Sequence, residues 1–172
     1  MGMRRTALLL AAMGLALVLA SGLALAATRT GTNQEDTLKG TNKADRIYGL
    51  GADDLLKGRG GSDQLEGGSG RDVAQGGIGF DFVSGGEGAD ELRGGPDGNE
   101  VYGGPGEDTI TSTGSGDEIY GGSGDDTIQA DNDVFDYVDC GRFKNPSSPA
   151  SDDDTANVDE ETDVVVECET VN

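Results

Sequence analysis

The chain of 172 residues has no histidine and no tryptophan, two cysteines, four phenylalanines and four tyrosines. Without histidine, neither a zinc HExxH helix nor a Ser-His-Asp triad can be assembled. Large apolar side chains are too few for a conventional core. Low hydrophobicity joined to high net charge is the composition of a chain that apolar burial alone does not fold. Positive charge is scarce as well: 12 Lys and Arg stand against 33 Asp and Glu, a net charge of −21. Nucleic acid is therefore excluded as a partner, because its binding depends on Lys and Arg at phosphates. Anionic membrane surfaces repel such a chain, whereas divalent cations are drawn to it.

The one long apolar run lies at the N-terminus. Arg4 and Arg5 are followed by apolar residues from Ala7 to Ala20 and then by Ala24-Leu25-Ala26. A basic start, an apolar stretch and small residues before a cut form a signal peptide, with cleavage expected after Ala26 and no membrane insertion after its removal. Cleavage takes two Arg and no acid, moving the net charge to −23. Secretion to the extracellular space is the expected localisation.

From Gly31 the chain divides every nine residues through Gln129 without insertion or deletion, giving eleven units from GTNQEDTLK to GGSGDDTIQ. The sixth place holds Asp36, Asp45, Asp54, Asp63, Asp72, Asp81, Asp90, Asn99, Asp108, Asp117 and Asp126. The eighth is apolar in every unit, from Leu38 and Ile47 to Ile128. At the chain's own composition this pattern has a chance below about one in 100,000. Six Gly-rich residues ending in Asp read as a turn. The x-apolar-x triplet that follows reads as a very short strand with one side chain pointing inward. Two units then make one coil, and stacked coils pair every strand with those above and below.

The pattern GGxGxDx(apolar)x resembles the hemolysin-type, or RTX, calcium-binding repeat. The resemblance implies an all-β fold, a right-handed parallel β-roll, with several Ca²⁺ ions between the turns of adjacent coils. Aspartates and turn carbonyls would supply the oxygens, which suits a cation that takes six to eight hard ligands. The expected organisation is a signal peptide over residues 1–26, the eleven repeats over 31–129, and a short acidic C-terminal β cap over 130–172.

Because a coil holds two units, odd and even units form separate ladders on opposite edges. Units five, seven, nine and eleven are complete, so calcium is expected chiefly at Asp72, Asp90, Asp108 and Asp126, with Asp54 extending that ladder. Asp36, Asp45, Asp63, Asp81 and Asp117 are weaker candidates. On the even edge only unit six is complete, Asn99 brings no charge, and unit ten begins Ser112-Thr113 where the pattern has Gly-Gly. Glu35, Asp53, Glu107 and Asp125 at the fifth place are expected to raise the local negative potential. Stacking would bring carboxylates into rows about 4.8 Å apart, and rows of like charge oppose folding until a cation neutralises them. Folding is therefore expected to be coupled to metal.

After Gln129 the glycines stop. Stretches around Asp133 to Cys140 and Asp163 to Cys168 read as strands, and Cys140 and Cys168 are expected to form a disulfide. Phe135, Tyr137, Val138, Val164 and Val166 are suited to cover the last apolar layer. Residues 144–161 read as a solvated polar loop.

No enzymatic activity is expected. Only four residues separate the signal peptide from the first repeat, and a carboxylate pair is not a glycosidase without a shaped pocket. The alternative is a surface-adhesion or glycan-binding module built on the same roll. An ice-binding face would need a regular Thr or Asn row, which within the turns only units one and two offer.

Overall fold

The structure, a computed structural model, describes residues 26–114, 116–130, 135–141, 154–158, 163–166 and 168–171; the expected signal peptide lies outside them but for its last residue. The described residues contain no helix. Among the described residues sixteen strands form two parallel eight-stranded sheets, and consecutive strands alternate between them. The first sheet is β1 (Thr28–Thr30), β3 (Arg46–Gly51), β5 (Gln64–Ser69), β7 (Phe82–Glu87), β9 (Glu100–Pro105), β11 (Glu118–Ser123), β13 (Tyr137–Asp139) and β15 (Val164–Val166). The second is β2 (Thr37–Lys39), β4 (Leu55–Gly60), β6 (Val73–Ile78), β8 (Glu91–Arg93), β10 (Thr109–Thr111), β12 (Thr127–Gln129), β14 (Thr155–Asn157) and β16 (Thr170–Val171). This is the β-roll that the repeat implied.

The register follows from the period. Ile47 pairs with Leu65, and Leu56 with Ala74, each 18 residues on. The eighth-place residues of even units line one sheet and those of odd units the other. All ten from Ile47 to Ile128 are fully buried, while Leu38 in the first unit is only partly covered. Each enclosed Leu, Ile or Val contributes roughly 1.5–3 kcal/mol, so the core is one narrow strip a single side chain wide per strand.

Two features differ from the sequence expectation. Seven strands are six residues long, twice the triplet, because pairing continues through the first three places of the next unit. Gly68 and Gly86 show why: both take a positive φ at the second place and pair with each other across coils. Leu50 and Arg59 hold the same place with φ of 85° and 90°, a conformation that costs a residue with a Cβ roughly 1–2 kcal/mol.

The second difference concerns the tail, where the nine-residue frame persists in the structure. Asp136, Asp154 and Asp163 take the sixth place, and Val138, Ala156 and Val165 the eighth. The in-register pairs are Ile119 with Val138, Ile128 with Ala156, and Val138 with Val165. The expected polar loop over 144–161 is therefore interrupted by β14, with Asp154, Ala156 and Val158 buried; residues 142–153 and 159–162 lie outside the described residues. Val138 and Val165 cover the apolar layer as the triplet rule requires. Phe135 and Val164, expected to do so, point outward and are 57% and 42% exposed. The Cys140–Cys168 disulfide is present, with Cα atoms 5.1 Å apart.

The outward face of the first sheet carries a row of rings, Phe82, Tyr102, Tyr120 and Tyr137, with centroids 4.7–5.9 Å apart and Tyr102 stacked on Tyr120.

Candidate metal centre

Each sixth-place aspartate sits where a turn re-enters a strand, and its two carboxylate oxygens have different duties. Oδ1 accepts a hydrogen bond from the backbone N–H of the aspartate one coil earlier. Asp72 thus serves Asp54 at 2.7 Å, Asp90 serves Asp72 at 2.7 Å, and Asp108 serves Asp90 at 2.8 Å. The other edge repeats this, with Asp81 on the amide of Asp63 at 2.8 Å. The ladder runs on into the tail, where Asp154 takes the amide of Asp126 and Asp136 that of Asp117, each at 2.9 Å.

Oδ2 faces a different place. In Asp54, Asp63, Asp72, Asp81, Asp90 and Asp108 it is buried and receives no hydrogen bond. It lies over the first-place glycine of its own unit, and in all but Asp90 the first-place carbonyl oxygen of the next coil faces the same spot. A Cβ built on Gly67 would meet both Asp72 Oδ2 and the Gly85 oxygen, at 2.5 Å from the latter. One on Gly76 would meet Asp81 Oδ2 at 2.5 Å and the Gly94 oxygen at 2.6 Å. A carboxylate oxygen and a carbonyl oxygen therefore converge on one small cradle that only glycine leaves open. Both are acceptors, and two acceptors cannot satisfy each other. A proton or a cation must stand between them.

The acid constants reflect this. Burial, joined by the charges of neighbouring aspartates, pushes the carboxyls of Asp63, Asp72 and Asp90 up to about 6 and that of Asp81 to about 7. Burial alone raises Asp108 to about 6. These groups hold their protons to a higher pH than an ordinary carboxyl, because burial penalises the charged form. Hard oxygen donors of this kind fit calcium rather than a soft metal. No cluster of three or more His, Cys, Asp or Glu side chains occurs among the described residues, since half of the cradle is backbone.

Four sixth-place residues differ. Asp36 Oδ2 accepts from the amide and hydroxyl of Thr32 at 2.7 and 2.9 Å. Asp45 accepts from the amides of Ala27 and Thr41. Burial opposes its ionisation, but those amide bonds outweigh it and hold the carboxyl below the usual range. Asn99 accepts the Asp81 amide at 3.0 Å through Oδ1 and turns its Nδ2 onto the Asp97 carbonyl, so its oxygen is already engaged. Ser112 replaces the first-place glycine of unit ten, and its hydroxyl donates to Asp117 Oδ2 at 2.6 Å. On the even edge from unit eight onward, an amide and a hydroxyl thus occupy the space that elsewhere is lined only by acceptors.

Of the fifth-place acids, Asp53 accepts the Arg71 amide at 2.9 Å and pairs with its guanidinium at 3.6 Å, tying two turns together at the surface. The sequence reading missed the first-place glycine as the wall of the site. Its signal was available, since ten of eleven units begin with Gly.

A family model for the RTX calcium-binding nonapeptide repeat, in four copies, matches residues 30–65, 66–101 and 102–134. The chain belongs to this family. No curated protein and no solved structure matches it. The RTX repeats support calcium binding by this chain.

Proposed function

We propose that the protein is a secreted calcium-binding roll whose repeats fold when calcium enters the cradles between coils. The observation that carries this is the convergence, at Asp54, Asp63, Asp72, Asp81 and Asp108, of a next-coil carbonyl with an Asp Oδ2 that is buried and accepts no hydrogen bond. On the odd edge Asp54, Asp72, Asp90, Asp108 and Asp126 are the carboxylate ligands. On the even edge Asp63 and Asp81 serve, whereas Asp36, Asp45 and Asp117 are held by internal donors and contribute less. Calcium supplies the positive charge that keeps these carboxylates ionised while buried. The chain's own residues supply the rest: Oδ1 fixes the distance between coils, and first-place glycine keeps the gap open.

A site made from two coils does not exist in the unfolded chain, so binding free energy is folding free energy. Millimolar calcium outside a cell saturates modules of this type. Secretion is supported by the signal-type N-terminus and by the disulfide, which persists in oxidising surroundings. No helix among the described residues is long and apolar enough to cross a membrane. No enzymatic activity is proposed. Adhesion or glycan binding gains no support from the ring row, because Tyr102 and Tyr120 cover each other's faces and leave little for a sugar to stack on.

Far-ultraviolet circular dichroism with 5–10 mM calcium, and again with excess chelator, tests the proposal. Strand content is expected to collapse on chelation and to return with calcium. Equal strand content under both conditions overturns metal-coupled folding.

A further inference from the structure

The odd-edge ladder does not stop with the last repeat. A Cβ built on Gly121 would meet Asp126 Oδ2 at 2.6 Å and the carbonyl oxygen of Cys140 at 2.7 Å. This is the arrangement found below at Gly67 and Gly76, with a residue outside the repeats supplying the upper oxygen. Cys140 is buried and takes the first place of the next coil. Its amide donates to Val166 at 3.1 Å, and its carbonyl accepts the Gly122 amide at 3.3 Å, which leaves a second lone pair over the cradle. The aspartate of that coil, Asp154, closes the rung by accepting the Asp126 amide.

We infer that a terminal calcium site lies between unit eleven and the tail, with Asp126 and the Cys140 carbonyl as ligands, and that the Cys140–Cys168 disulfide positions the carbonyl. The inference rests on the calcium-binding reading above and adds one site to those the repeats make among themselves. It is also where the ladder ends, because Cys140 carries its own Cβ and sulfur at the first place. The even edge has no counterpart: Ser112, at the first place of unit ten, puts a side chain where glycine left room and donates its hydroxyl to Asp117 Oδ2.

Native mass spectrometry of the oxidised, calcium-loaded full chain counts the ions. Gly121→Ala, which fills this cradle and leaves the disulfide intact, is expected to bind one ion fewer. Reduction of the wild-type disulfide is expected to lose the same single ion at limiting calcium, while Gly121→Ala loses no further ion on reduction. The reduction arm decides the matter if the variant does not fold. An unchanged count in Gly121→Ala, or in the reduced wild type where the variant does not fold, overturns the terminal site while leaving the repeats' calcium binding intact. An oxidised wild type that binds no calcium overturns the parent reading as well.

Discussion

The repeats over residues 31–129 and the tail coils after them share one frame yet differ at a single place. Both put Asp at the sixth position, with Oδ1 on the amide of the coil below, and an apolar residue at the eighth. Where ten of the eleven repeats begin with glycine, the tail coils begin with Ala130, Cys140 and Val158, all buried. The aspartate by itself is thus a structural rung that any coil can use. The open cradle, the metal site of the proposal, is made by the glycine opposite it. The tail closes the roll with the same architecture and filled cradles, and it carries a disulfide where the proposal gives the repeats an ion.

The sharpest way to break this comparison is to give a repeat the first place of a tail coil. Gly103→Ala would set a methyl group against Asp108 Oδ2 and the Gly121 carbonyl. Overpacking of this kind costs about 1–3 kcal/mol, and one calcium ion should be lost with it; calorimetry and ion counting read the two effects separately. The converse change is expected to be smaller. Asn99→Asp with Ser112→Gly removes the amide and hydroxyl that occupy the even edge and should add one ion. Asn99→Asp alone, with Ser112 still in place, should add none.

A third test uses acid. The carboxyls of Asp63, Asp72, Asp90 and Asp108 sit near 6 and that of Asp81 near 7, chiefly through burial. Raised folded-state values mean that the metal-free roll takes up protons more readily than the unfolded chain. That stabilisation is complete below about pH 4, the ordinary range of an unfolded carboxyl, and is lost as pH rises through 6 to 7. Calcium must displace the same protons. The calcium concentration at half-folding is therefore expected to rise as pH falls from 8 to 5, whereas residual strand content without calcium should increase. Calcium titrations followed by circular dichroism at pH 8, 6.5 and 5 would show both trends, and a pH-independent midpoint would sink the account.

Much of this was legible in the residues. An uninterrupted nine-residue period, an apolar eighth place and two units per coil fix the two sheets, the register and the separation of odd from even turns. Cys140 and Cys168, as the only pair, specify the disulfide. The tail was harder, because its frame is broken by one extra residue before Asp136 and nine more before Asp154, and it has lost the glycines that advertise the period. The triplets after Asp136, Asp154 and Asp163, Tyr-Val-Asp, Thr-Ala-Asn and Val-Val-Val, still mark it. The engagement of Asn99 and Asp117 could not be read at all. It depends on which donor lies within reach across a coil, and Ser112 is near Asp117 only once the turn has closed.

The shared rung has a consequence for how the molecule comes apart. Because each Oδ1 belongs to one coil and the amide it holds to the coil before, the interaction energy resides in the interfaces between neighbours. A linear array of this kind is described by nearest-neighbour statistics, in which opening spreads along the axis from its weakest junction. The even-edge junctions around Asn99 and Asp117 rest on neutral donors, while at Asp63 and Asp81 the buried Oδ2 has none. If calcium fills the cradles as proposed, its withdrawal is expected to weaken the even edge first in the first half of the array, and the tail, with its own rungs and covalent bridge, to be the boundary from which order spreads back.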